Sequence, residues 1–250
     1  MKSAFYMLAN AVWMCLLLPL VFLGMLFTWN TDFGIWVARA LWSPFLVYRV
    51  AGSTLTVEGG EHVDHSRPMV YVSNHQSTLD IPALFIAIPV NFRYVAKKEL
   101  RLVPGLGWYL WLGGHIFVDR KSRHRAMESL QAAGKKIRDG RNILVYVEGT
   151  RSADGRILPF KRGTFALAIE AGVPVCPVAI EGTRKIMPKN RWSVTPGHIR
   201  VKIGAPIDVK PYVERGRDAL MRDVRDAVIR LHQEIGGPGA LPQNDAGAAA

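Results

Sequence analysis

The chain has 250 residues, 49% of them hydrophobic, and carries 32 Lys and Arg against 20 Asp and Glu, a formal net charge of +12. That is enough apolar side chain for one sizeable core plus an appendage, which excludes a disordered protein. The charge balance implies an anionic partner, whether nucleic acid, an acidic membrane surface or a phosphorylated substrate. Cysteine is confined to Cys15 and Cys176, so no disulfide framework or metal cluster is indicated and a reducing compartment fits.

From Ser3 through Thr31 no residue is charged, and Phe5 to Phe27 is rich in Leu, Val, Met, Phe and Trp. At about 1.5 Å per helical residue this run can cross about 30 Å of hydrocarbon, so a membrane-embedded helix is expected. Phe33 to Val50 is a second apolar stretch with only Arg39 and Arg49 charged. Its Trp36, Trp42 and Tyr48 suit a headgroup interface, and Pro44 should kink it. Two arrangements fit: a spanning helix followed by an interfacial one, or a two-helix hairpin dipping into one leaflet. A cleaved signal peptide ending near Ala38-Arg39-Ala40 fits less well. The apolar run exceeds the usual ~7 to 15 residues and the site lies too far downstream.

Beyond Gly52 short β-type runs alternate with helical ones, the pattern of an α/β domain. The strands expected are Thr54 to Glu58, Met69 to Ser73, Phe92 to Ala96, Ile116 to Asp119, Asn142 to Val147, Val175 to Ile180 and Ile199 to Ile203. Helices are expected over Ser122 to Asp139, Thr164 to Ala171 and Arg217 to Ile235, the last with Leu220, Val224, Ala227, Leu231 and Ile235 as its core stripe. The fold expected is a mixed sheet flanked by helices. Residues 1–51 form the membrane anchor, 52–235 the α/β domain, and the Gly-, Ala- and Pro-rich 236–250 a flexible tail.

Chemistry collects in the loops after the strands, where ligands gather in open α/β sheets. Asn74 to Asp80 places an imidazole and a carboxylate five residues apart. His75 can accept a proton near neutral pH, and Asp80 can hold its ring. On an unbroken helix the two would point roughly 140° apart. They can meet if His75 lies in a loop and Asp80 starts a helix as its N-cap, with Pro82 in the first turn. A plain loop histidine beside a capping aspartate is the bland alternative. Glu148-Gly149-Thr150-Arg151 suits a phosphate: Gly turns backbone N–H groups toward the anion, Thr adds a hydroxyl and Arg a bidentate fork. Gly149 as a simple turn, with Arg151 paired to Glu148 or Asp154, is the alternative there. Lys97, Arg120 and Lys161 could add charge from other loops, and Lys98 is the neighbouring choice to Lys97.

The segments Asn74 to Asp80, Lys97 to Arg120, Glu148 to Ser152 and Val173 to Val178 occur in the order and approximate spacing of the four blocks of the glycerolipid acyltransferase family, which the chain resembles. The departures are Tyr146-Val147, where Phe-Pro often precedes the third block, and Cys176, where the fourth often has an aliphatic residue.

The resemblance implies transfer of a fatty acyl group from a thioester, acyl-CoA or acyl-carrier protein, to the sn-2 hydroxyl of lysophosphatidate. His75 would be the general base oriented by Asp80. Glu148, Gly149, Thr150 and Arg151 would hold the glycerol phosphate, assisted by Arg120 and Lys97. Ser77 serves as a local hydrogen-bonder, with no acyl-enzyme required. No cofactor or metal is expected, since no cluster of metal-ligand residues is found. The partners are then a lysophospholipid, the acyl donor and the membrane, with no nucleic acid, and the place is the inner membrane with the catalytic domain facing the cytoplasm. Another lysolipid, lyso-ornithine lipid or glycerol 3-phosphate are alternative acceptors. A non-catalytic protein binding anionic lipid is the reading from a different class.

Overall fold

The computed structural model describes residues 2–119, 129, 133–189 and 194–241. Within them the expected strands form: β1 (Thr54–Glu58), β2 (Val70–Ser73), β3 (Phe92–Lys97), β4 (Ile116–Val118), β5 (Asn142–Tyr146), β6 (Val175–Glu181) and β7 (His198–Ile203). They lie in the order β1-β7-β6-β2-β5-β3-β4. All pairs are parallel except β6 with β7, so the sheet is mixed. The central strand β2 is buried along its whole length, and its period of two splits the core. Tyr71 points to one face with Leu144, Phe92 and Val178, while Val70 and Val72 point to the other with Ile143, Val145 and Val175.

The second face is covered by residues 133–138, by α5 (Gly163–Ala171), which comes after α4 (Leu106–Leu112) in the chain, and by α8 (Arg217–Glu234), which follows the short α6 (Thr183–Ile186) and α7 (Tyr212–Arg215). Of the expected helix Ser122 to Asp139, residues 120–128 and 130–132 lie outside those described. The stripe of α8 is rotated slightly from expectation. Leu220, Val224, Val228 and His232 are the buried positions at a spacing of four, while Leu231 is only partly covered. Residues 236–241 are also more tightly held than their composition suggests. Ile157 N–H donates to Gly239 O and Leu241 N–H to Ile157 O, both at 3.0 Å, and Arg225 Nη2 donates to the Leu241 carbonyl at 2.7 Å. Two backbone bonds and a guanidinium thus tie Gly239 and Leu241 to the domain.

The first face carries α3 (Asp80–Ala87) and the second apolar stretch. That stretch begins as α2 (Asp32–Val37) and widens into i→i−5 turns on either side of Pro44, which has no N–H to give. It is partly core: Ile35, Leu46 and Val47 are buried with Leu84 and Phe92. Trp42, expected at a headgroup interface, turns inward instead, with its Nε1 donating to Asn10 Oδ1 at 3.0 Å and its ring edge-on to Phe85. Trp36 and Tyr48 stay exposed.

Helix α1 (Lys2–Thr28) runs back along this stretch, Trp13 stacking on Phe45 with ring centroids 4.5 Å apart. Gly24 lets the helices close, since a Cβ there would fall 2.0 Å from the Phe33 ring. Residues Ala4–Thr28 are long and apolar enough to cross a membrane. Phe5, Leu8, Val12, Leu16, Leu20, Leu23 and Phe27 form an exposed stripe at three- and four-residue spacing. At the turn between the helices Asp32 accepts bonds from Arg93, which is buried, and from Arg141 Nη1 at 2.8 Å. That pins the hairpin to the sheet.

A buried histidine at the start of β4 makes acid stability testable. His115 Nδ1 accepts the Tyr94 N–H at 3.0 Å, and burial, with Arg93 and Lys136 nearby, pushes the ring down to about 3. The unfolded chain therefore binds this proton more readily, and stability falls as pH drops below about 6.5 toward 3. His115→Asn keeps an acceptor near the Nδ1 position and removes the proton site. Between pH 7 and pH 5 the variant should lose about 2 kcal/mol less stability than the parent. Parallel pH dependence of the two denaturation midpoints would contradict this.

Candidate functional site

Strands β2 and β5 are parallel neighbours, so the loops after Ser73 and Tyr146 leave the same edge of the sheet. Asn74 extends β2 by one side-chain step. Its Nδ2 donates to Ile180 O and its Oδ1 accepts the Ile180 N–H, both at 2.9 Å, so the amide replaces backbone pairing as the chain turns away. His75 follows in the loop, and Asp80 starts α3. The imidazole Nδ1 lies 2.7 Å from Asp80 Oδ2, the ring is stacked on Tyr146 with centroids 3.9 Å apart, and the side chain keeps 15% of its exposure.

Asp80 is the first helical residue, and its carboxylate does not cap the helix behind it as expected. It reaches back: Oδ2 accepts the N–H groups of Gln76 and Ser77 at 2.7 and 2.9 Å as well as His75 Nδ1. Oδ1 accepts the Thr183 hydroxyl at 2.5 Å. Every partner is a donor to a fully buried carboxyl group. His75 must therefore present Nδ1–H to Asp80, leaving Nε2 with its lone pair free to take a proton.

The 148–152 loop clamps the same histidine. Glu148 Oε1 accepts the His75 N–H at 2.8 Å, and Ser152 N–H donates to the His75 carbonyl at 2.8 Å. Gly149 turns the chain at φ +73°, where a side chain would be strained. Arg151 Nη1 donates to Thr78 Oγ1 at 2.9 Å. Lys189 Nζ donates to Thr150 Oγ1 at 3.3 Å and to the Arg151 carbonyl at 2.9 Å. Lys97, at the end of β3, pairs with Glu99 at 3.5 Å, and Lys98 with Asp119 at 3.4 Å. Arg120 lies outside the described residues. Among the described residues no three His, Cys, Asp or Glu side chains are grouped to hold a metal ion.

A family model described as Acyltransferase matches residues 54–181, which contain both loops. The chain belongs to the acyltransferase family. Among relatives, the 1-acyl-sn-glycerol-3-phosphate acyltransferase alpha of Homo sapiens is 33% identical over 189 residues, covering 75% of this chain and 67% of that one. The chloroplastic 1-acyl-sn-glycerol-3-phosphate acyltransferase BAT2 of Brassica napus is 34% identical over 169 residues, 67% of this chain and 48% of that one. The crystal structure of the 1-acyl-sn-glycerophosphate (LPA) acyltransferase PlsC from Thermotoga maritima superposes with a TM-score of 0.83 at 29% identity, covering 94% of each chain.

In this acyltransferase the geometry separates residues that the sequence grouped together. Glu148 was expected beside the phosphate, but it is buried and spends both oxygens on backbone, the second accepting Leu158 N–H at 3.1 Å. Burial pushes its carboxyl up to about 8, against the two N–H bonds that favour the charged form. Glu148→Gln sets an amide NH₂ against one of those N–H donors, at about 1–3 kcal/mol for an unmade buried bond. The acyltransferase should then lose roughly 10-fold or more in kcat with little change in KM for a phosphorylated acceptor. A contact with the phosphate would instead show as a changed KM. Thr183 is the partner that sequence reasoning left without a role. It lies 103 residues from Asp80, too far along the chain for the contact to be read.

Proposed function

We propose that the protein transfers a fatty acyl group from a thioester to the sn-2 hydroxyl of lysophosphatidate, forming phosphatidate. The observation carrying this reading is the His75–Asp80 pair with Nε2 left open, on a loop held by the Glu148–Ser152 segment. The alcohol is a poor nucleophile, so His75 Nε2 takes its proton as the oxygen attacks the thioester carbonyl. Asp80 holds the imidazolium. The tetrahedral intermediate collapses, the C–S bond breaks, and the thiolate takes the proton back from Nε2. The chemistry balances with no acyl-enzyme, cofactor or metal.

Arg151 and Thr150 supply a guanidinium and a hydroxyl for the acceptor phosphate, Gly149 turns the loop that carries them, and Lys97 and Arg120 are the further cations. Residues 1–51 act as the membrane anchor of the catalytic residues 52–235. The stripe on α1, with Trp36, Trp108, Trp111 and Leu102 exposed nearby, favours the hairpin lying in one leaflet. The lipid substrates then never pass their chains through water, at about 0.8 kcal/mol per CH₂. The inner membrane, with the domain on the cytoplasmic side, is the location that fits.

The test is a competition of lysophosphatidate, neutral lysophospholipid, lyso-ornithine lipid and glycerol 3-phosphate for one acyl donor, with Arg151→Ala beside the parent. Lysophosphatidate should win, and Arg151→Ala should raise its KM by about 10-fold or more, the worth of a charge-assisted bond. Preference for an acceptor without a phosphate, or a lost kcat at unchanged KM, would overturn the phosphate assignment.

A further inference from the structure

Behind the His75 loop lies a second histidine–carboxylate pair that the reaction does not use. His232, near the end of α8, and Glu181, at the end of β6, are both buried, and His232 Nε2 stands 3.0 Å from Glu181 Oε2. The same ring nitrogen stands 2.9 Å from Gln76 Nε2, so it either donates to Glu181 Oε2 or accepts from the Gln76 amide. The same oxygen accepts Gln76 Nε2 at 2.8 Å, and Gln76 Nε2 also reaches the Gly155 carbonyl at 3.3 Å. Gln76 is the residue after His75, and its backbone N–H donates to Asp80 Oδ2. A continuous path therefore runs from His232 through Glu181 and Gln76 to the carboxylate that holds His75.

Burying this cluster is costly. Gln76 Oε1 and His232 Nδ1 are buried with no partner among the described residues. The ring has no slack either, since a Cβ on Gly237 would fall 2.3 Å from it. An apolar contact would join α8 to β6 at lower cost. What it could not supply is a directional hold on the Gln76 amide.

We propose that His232 and Glu181 are positioning residues for acyl transfer, fixing the 75–77 turn through the Gln76 side chain so that its N–H groups orient Asp80 against His75. This rests on His75 being the base. The outer pair touches no reacting atom. Its link to the catalytic histidine runs through Gln76, with Lys185 3.5 Å from the other Glu181 oxygen, so its effect should appear in turnover and not in acceptor binding.

The experiment is steady-state acyl transfer by the full chain in lipid or detergent, with lysophosphatidate as acceptor, on His232→Leu, His232→Gln and His232→Asn, each with its melting temperature. Gln places an amide NH₂ near the Nε2 position, while Asn places one near Nδ1. His232→Leu should lose about 10- to 100-fold in kcat with KM for lysophosphatidate within about 3-fold. His232→Gln should recover to within about 3-fold of the parent, and His232→Asn should not. An unchanged kcat in His232→Leu, or equal kcat in the Gln and Asn variants, would overturn the proposal. If His232→Leu does not fold, the Gln and Asn pair decides alone. A silent His232→Leu beside an inactive His75→Ala removes only the positioning role, whereas an active His75→Ala removes the base on which it rests.

Discussion

His75→Ala should lower kcat for acyl transfer by about 10²- to 10⁴-fold, the usual worth of a general base, with a melting temperature close to the parent's. Among the described residues, neither close neighbour can take over. The Tyr146 ring stacks on the imidazole, but burial raises its phenol well above 10, so it holds its proton. Glu148 is turned to the backbone of His75 and Leu158. The fold should survive because Asp80 keeps three of its four donors, from Gln76, Ser77 and Thr183. KM for the acceptor should change little, since the groups proposed to hold the phosphate lie on the other loop. Turnover within about 3-fold of the parent, in protein that melts normally, would show that proton removal lies elsewhere.

Asp80→Asn should be about as damaging, for a different reason. The side chain keeps its shape but becomes half donor, in a place where four donors converge. If the amide NH₂ faces the ring, Nδ1 must accept, the proton moves to Nε2, and the base loses the lone pair it needs. If the amide is turned the other way, its NH₂ meets the Thr183 hydroxyl, which can rotate to accept. The imidazolium still loses its countercharge. A fall of about 10³-fold or more is expected in either case, with a stability cost of about 1–3 kcal/mol for the unmade buried bonds. A loss under about 10-fold would mean that Asp80 is only a structural acceptor.

How much of this was legible follows from how far apart the interacting residues are. The strands could be read because β-branched runs such as Val70 to Val72 sit between turn residues, and each needs only its own pattern to be recognised. His75 and Asp80 could be read as a pair because five residues and one turn connect them. The phosphate-suited loop was legible from Gly149 and Arg151, but the direction of Glu148 was not, because it depends on the neighbouring strand's loop arriving alongside. The same limit hid Thr183, and it hid the cluster of Gln76, Glu181 and His232, whose members meet only after β6 and α8 pack together. On α8 the period was right and the phase was off, which exchanged a buried His232 for an expected Leu231. Trp42 shows a further limit. An aromatic residue in an apolar stretch suits an interface or a core equally, and only the Asn10 partner decides between them.

Passage of the acyl group to a lipid hydroxyl through His75 can be followed by counting both products of one reaction. Purified protein would be incubated with lysophosphatidate and an acyl thioester, with thiol release and phosphatidate measured together, and His75→Ala run alongside. The account predicts one phosphatidate for each thiol released, with both lost in the variant. Thiol release without matching ester would make water the acceptor, and matched products that persist in His75→Ala would contradict the proposed base.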